Sequence, residues 1–188
     1  MKAPKGRLLY VKTRKAWRSW LARHHRTAPE VWLVYYRKHT GKPRIPYSDA
    51  VEEALCYGWI DSTQRTINAD CFAQRFTPRK PSSRWSEMNK ERARRLIRQG
   101  KMTTAGLAAL KGALDAGTRG RLAVAPDIRR ALQRQPRVWN NFQKFPRSYR
   151  RIRIGWIEAA RSRPKLFRQR LRYFLKMTAE NARFGMVQ

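Results

Sequence analysis

The sequence predicts an α+β fold, a small, mainly antiparallel sheet packed by helices and followed by an all-helical C-terminal module. Three observations carry this. Residues 31–36, Val-Trp-Leu-Val-Tyr-Tyr, form a β-branched and aromatic run of strand length. Residues 59–67 and 71–77 are two more such runs, joined through Asn68-Ala69-Asp70 as a hairpin. Beyond Pro78 the apolar residues recur at helical spacing. With 41% hydrophobic and 11% aromatic residues in 188, a sizeable core is available. A soft boundary near residues 117–126 separates a body, residues 1–120, from a helical module, residues 121–188.

Each element has a local reason. Residues 13–25 read as a helix, capped by Thr13, with Trp17, Trp20, Leu21 and His24 on one face. Gly41-Lys42-Pro43 breaks the first strand. Ser48 opens a short helix with Asp49, Glu52 and Glu53 near the positive end of its dipole, and Gly58 closes it. Pro78, which has no N–H to give a ladder, ends the hairpin. Ser83 or Ser86 caps the next helix, which stops at Gly100, and Thr103 or Thr104 starts another that ends near Gly117. Pro126, Pro136, Pro146 and Pro164 each introduce a helical pattern, as first-turn prolines do. In the last helix Phe167, Leu171, Phe174 and Leu175 share one face, expected to dock the module on the body.

Charge is the dominant compositional feature: 44 Lys and Arg against 12 Asp and Glu, a net +32. It is uneven. Residues 1–48 hold 13 basic and 1 acidic residue, residues 49–128 hold 14 and 9, and residues 129–188 hold 17 and 2. Two basic ends flank a more balanced middle, an arrangement that attracts polyanions at long range. Arg outnumbers Lys 31 to 13, which favours phosphate forks and stacking on bases. Aromatics are interleaved with both ends. The expected partner is therefore nucleic acid or another polyanion, met by Arg14, Arg18, Arg150, Arg153, Arg168 and Arg172. No helix-turn-helix, zinc-finger or RNP pattern occurs, so such binding would be directed at the backbone and sensitive to salt.

The balanced middle holds the residues least expected by chance. Trp59 and Asp61 follow Gly58. Arg75, Arg79, Lys80 and Arg84 form a basic series leading into Trp85 and Asn89 at a serine-capped helix start. Guanidinium forks beside helix N–H groups suit phosphate or carboxylate. Asp61 could orient one of these arginines, and hairpin geometry is expected to bring it beside Arg75 and Thr77. Each of these residues has a plainer use as well, Asp61 in a structural ion pair and the tryptophans in the core.

The same stretch carries a family resemblance. Cys56-Tyr57-Gly58-Trp59-Ile60-Asp61, then Arg75-Phe76-Thr77-Pro78-Arg79, then Ser83-Arg84-Trp85-Ser86-Glu87-Met88-Asn89 resemble the central motif of the YdeI/OmpD-associated family. Tyr57 stands where that family usually has Phe. Trp156-Ile157-Glu158-Ala159-Ala160-Arg161 resembles its C-terminal pattern, from which Ser162-Arg163-Pro164-Lys165 then departs. The resemblance implies a role in bacteriocin protection through protein contacts and supplies no reaction.

Several chemistries lack support. Cys56 sits at a helix C-terminus with no histidine nearby, an environment that disfavours a thiolate. The histidines lack metal-site spacing, and there is no phosphate-binding glycine loop and no G-x-S-x-G. No cofactor and no metal is expected. No apolar stretch of membrane-spanning length occurs, and neither a signal-like N-terminus nor a disulfide framework is present, so a cytoplasmic location is expected. The reading is a basic, non-enzymatic polyanion-binding protein with a stress or resistance role. The alternatives are a small-anion site or enzyme around Asp61, Arg75, Arg79 and Trp85, and a protein-interaction factor.

Overall fold

The computed structural model describes residues 6–114 and 122–185. They group into two compact units. One joins Met1–Arg84 with Arg92–Lys111, and the other joins Trp85–Glu91 with Gly112–Gln188. The expected boundary at residues 120 and 121, and Gly117 itself, lie outside the described residues.

The first unit is a four-stranded sheet of order β1-β2-β4-β3, where β1 is Leu8–Leu9, β2 Val31–Tyr36, β3 Trp59–Thr66 and β4 Cys71–Pro78. β2, β4 and β3 pair antiparallel, whereas β1 runs parallel to β2, so the sheet is mixed. A two-residue strand carries no alternation, and the sequence reading missed β1 for that reason. Helices α1 (Arg14–His24) and α2 (Tyr47–Cys56) cover one face. The Trp17 ring lies 5.4 Å from that of Phe76, and its indole N–H donates to the Ala50 carbonyl at 3.0 Å. Trp17, Leu21, Val31, Leu33, Leu55 and Phe76 are fully buried there.

Thr13 caps α1 by accepting from the Ala16 N–H. α2 begins at Tyr47, after Pro46, with no side-chain cap, so Ser48 lies inside the helix. Its acidic residues do more than meet the dipole. Glu53, only 2% exposed, accepts from Arg14 Nε at 2.5 Å and from Arg18 at 2.6 Å, while Glu52 accepts from Arg14 and Arg95. A buried carboxylate needs such partners. Gly58 (φ +74°) lets the chain turn from α2 into β3.

Helix α3 is Glu87–Arg98 and α4 is Thr104–Ala109. Ser86, not Ser83, caps α3, its hydroxyl accepting from the Asn89 N–H. α4 ends earlier than expected, with Leu110 as its C-cap. Thr103 caps α4 and also donates to the Cys56 carbonyl at 2.6 Å. This brings α4 against the end of α2 so closely that a Cβ on Gly106 would sit 2.2 Å from the Cys56 oxygen.

The second unit is built from α5 (Pro126–Gln133), α6 (Pro136–Lys144), α7 (Arg147–Glu158) and α8 (Pro164–Ala179). Ile128, Leu132, Val138, Phe142, Phe145, Tyr149, Ile154, Ile157 and Phe174 form its core. Phe167, Leu171 and Leu175 pack against that core. The α8 face expected to dock the module is thus used within the module itself. Among the described residues no helix is long and apolar enough to cross a membrane.

Candidate functional site

Strand register decides which of the signature residues meet. Asp61 opposes Phe76, while Arg75 opposes Trp32 across β2. Side chains alternate along a strand, so Asp61 shares the helix-covered face with Phe76, and Arg75 lies on the other face. The expected pairing of Asp61 with Arg75 is one residue out of phase. An irregularity between Asp61 and Gln64 inserts an extra residue into β3 just after Asp61.

On the helix-covered face, the Tyr47 hydroxyl donates to Asp61 at 2.5 Å. Burial, then the bond to Asp61, pushes the Tyr47 phenol well above its ordinary value. Asp61 also lies close enough to Arg79 and Arg92 to favour their charged forms, against burial, which depresses both. Arg79 is fixed further by its backbone N–H, which donates to the Gly58 carbonyl, and by its guanidinium, which donates to the Arg84 carbonyl at 2.6 Å. Tyr47 and Arg92 were not foreseen. Trp59 was the available signal, since a core tryptophan places Asp61, two residues further along the same strand, on the same helix-covered face.

On the opposite face, Arg75 donates to Glu30 Oε2 through Nε at 2.7 Å, and the Trp32 indole N–H donates to Glu30 Oε1 at 2.9 Å. These two donors, the indole first, hold the Glu30 carboxyl below its usual range. The Arg65 guanidinium lies over the Trp32 ring, 5.5 Å from its centroid. Together with Thr63 they line a pocket of about 230 Å³.

The remaining signature residues have their own surroundings. Trp59 is buried beside Trp20, its indole N–H donating to the His25 carbonyl at 3.1 Å. Lys80 and Arg84 are exposed. Trp85 and Asn89 belong to the second unit and are half-buried. Burial pushes the Cys56 thiol up, unfavourably for a nucleophile.

The arginines expected to meet nucleic acid divide by environment. Arg14 and Arg18 are bound to Glu53. Arg153 is 4% exposed; it donates to the Phe184 carbonyl and stacks on the Phe184 ring. Arg150 is half-buried over Phe142. Arg168 and Arg172 are exposed on α8, with Lys165 and Lys176. These four recur at i, i+3, i+7 and i+11. At about 100° per residue they form one ridge, about 16 Å long, opposite buried Phe174 and Thr178. Among the described residues no carboxylate is ion-paired to them, whereas Glu30, Glu52, Glu53, Glu91, Asp127 and Glu158 each hold an arginine.

Two family models match the chain in succession. Residues 9–109 match a domain of unknown function, DUF8412. Residues 121–181 match the family described as "Bacteriocin-protection, YdeI or OmpD-Associated". The YdeI/OmpD-associated resemblance is thus upheld over the helical module with Trp156–Arg161, while Cys56–Asn89 falls within the first match. No curated protein and no solved structure matches the chain. Residues 121–181 are thus similar to the YdeI/OmpD-associated family, and over more than half its length the chain belongs to the DUF8412 family.

Proposed function

We propose that this protein is a non-enzymatic, backbone-directed nucleic-acid-binding protein that engages duplex phosphates through the α8 ridge. The observation that carries this reading is the exposed series Lys165, Arg168, Arg172 and Lys176 on one helix face. The ion pairs support it, because six acidic residues are engaged with arginines of their own unit and, among the described residues, none is paired to the ridge. Four neutralised phosphates give a salt slope of about −3.6, a loss on the order of a hundredfold between about 50 and 200 mM salt. A titration against a short duplex over that range tests it. Binding that is absent at low salt ends the proposal.

The matched family's description mentions bacteriocin protection. Carried over to this chain, it becomes a stress or resistance role exercised by binding, which we place in the cytoplasm, where nucleic acid is at hand. A second reading, a small-anion site, is favoured by the gathering of Tyr47, Arg79 and Arg92 around Asp61.

A further inference from the structure

The sheet face away from α1 and α2 carries aromatic side chains beneath cations. Trp32 and Tyr36, four residues apart on β2, share this face about 13 Å from each other. Arg65 lies over Trp32 at 5.5 Å and Lys42 over Tyr36 at 4.3 Å. Tyr10 meets the Tyr36 ring edge-on at 5.0 Å, and its hydroxyl donates to the Pro43 carbonyl, fixing the loop that bears Lys42. The pocket beside Trp32, about 230 Å³, is smaller than the roughly 300–1,000 Å³ of a whole small-molecule site. It has room for one ring system, and the rest of such a ligand has to run along the surface. Its lining offers the flat guanidinium of Arg65, the hydroxyl of Thr63 and the guanidinium of Arg75, with Glu30 neutralised by Arg75.

We propose that this face is a single-stranded nucleic-acid site, in which an unpaired base lies against the exposed Arg65 guanidinium beside Trp32, while the adjoining phosphate meets Arg75 at Nη1, the nitrogen that its bonds to Glu30 through Nε and Nη2 leave available. Planar guanidinium stacking with phosphate contact is the chemistry by which unpaired strands are held without sequence preference. A duplex hides its base faces and cannot use the platform. The site rests on the nucleic-acid reading above but occupies different residues from the α8 ridge, so the two fail separately.

The test is backbone-amide NMR of the full chain with oligothymidylate and with a short duplex, paired with affinities for both. Arg65→Ser is compared with Arg23→Ser, which removes one exposed cation elsewhere. The single strand is expected to shift amides of β2, β3 and β4. Arg65→Ser is expected to weaken it about tenfold or more, the scale of one stacked base, with the duplex weakened no more than by Arg23→Ser. An oligoribonucleotide that binds more tightly than the deoxy strand would identify RNA as the preferred source of the unpaired base. Single-strand affinity that falls equally in the two variants, or shifts confined to α8, would overturn the proposal.

Discussion

The Tyr47 hydroxyl, on the first residue of α2, donates to the Asp61 carboxylate, on the third residue of β3, at 2.5 Å. This bond ties the start of a helix to the strand beneath it and sets where the Asp61 charge sits relative to Arg79 and Arg92. Asp61→Asn removes the negative charge that opposes ionisation of Tyr47. The Tyr47 phenol should then titrate at lower pH than in the parent protein. Ultraviolet titration, with Tyr47→Phe identifying the transition, measures it; an unmoved transition would mean that the pair is not formed.

Gly106 allows α4 to approach the last turn of α2. Gly106→Ala puts a Cβ 2.2 Å from a backbone oxygen that cannot swing aside. The expected loss is about 3 kcal/mol, at the upper end for overpacking. Urea unfolding measures it, and a midpoint unchanged from the parent would contradict the close approach.

Glu30 has its carboxyl depressed by the Trp32 indole and Arg75. Its folded value is below its unfolded one, so its contribution is present above the unfolded value of about 4.3 and is lost as pH falls through the lower folded value. Glu30→Gln should lower stability near neutral pH and flatten the decline in acid. Thermal melts from neutral to strongly acidic pH report both effects.

Arg153 is held as a structural residue, its guanidinium on the Phe184 ring and carbonyl. Arg153→Met leaves that carbonyl without this donor and removes a desolvated cation–π interaction. Together these should destabilise the second unit by about 2–4 kcal/mol. Affinity for a duplex, measured well below the melting range, should change by no more than removal of one charge accounts for. A variant with full stability would contradict the packing described.

Much of the fold was legible because the periodicities were strong. β2 has the bounds expected from its β-branched run, and α1 has the cap expected at Thr13. The site was less legible for two physical reasons. Register in a hairpin with an irregular strand is set by packing of the whole sheet, and a slip of one residue moved Arg75 to the other face from Asp61. Partner choice among many arginines depends on burial, which local sequence does not specify. Arg14 and Arg18 sit one turn apart on α1, a spacing that suits a shared carboxylate, yet Glu53 lies 35 or more positions away. Arg153 and Arg168 look alike in a basic sequence, and only the core around Phe184 separates them.

The central claim is that the α8 ridge carries duplex binding. Its most direct test is the salt dependence of duplex affinity for the parent chain and for the combined variant Lys165→Gln, Arg168→Gln, Arg172→Gln and Lys176→Gln. A second combined variant, replacing exposed Arg129, Arg134, Arg137 and Lys144 by Gln, controls for charge removed from other helices. The ridge variant should reduce the log–log slope by about three to four, near 0.9 for each phosphate no longer neutralised, with its melting temperature little changed. The control should reduce it by less than about one. Equal reductions in the two variants, or an unchanged slope in the ridge variant, would contradict the account.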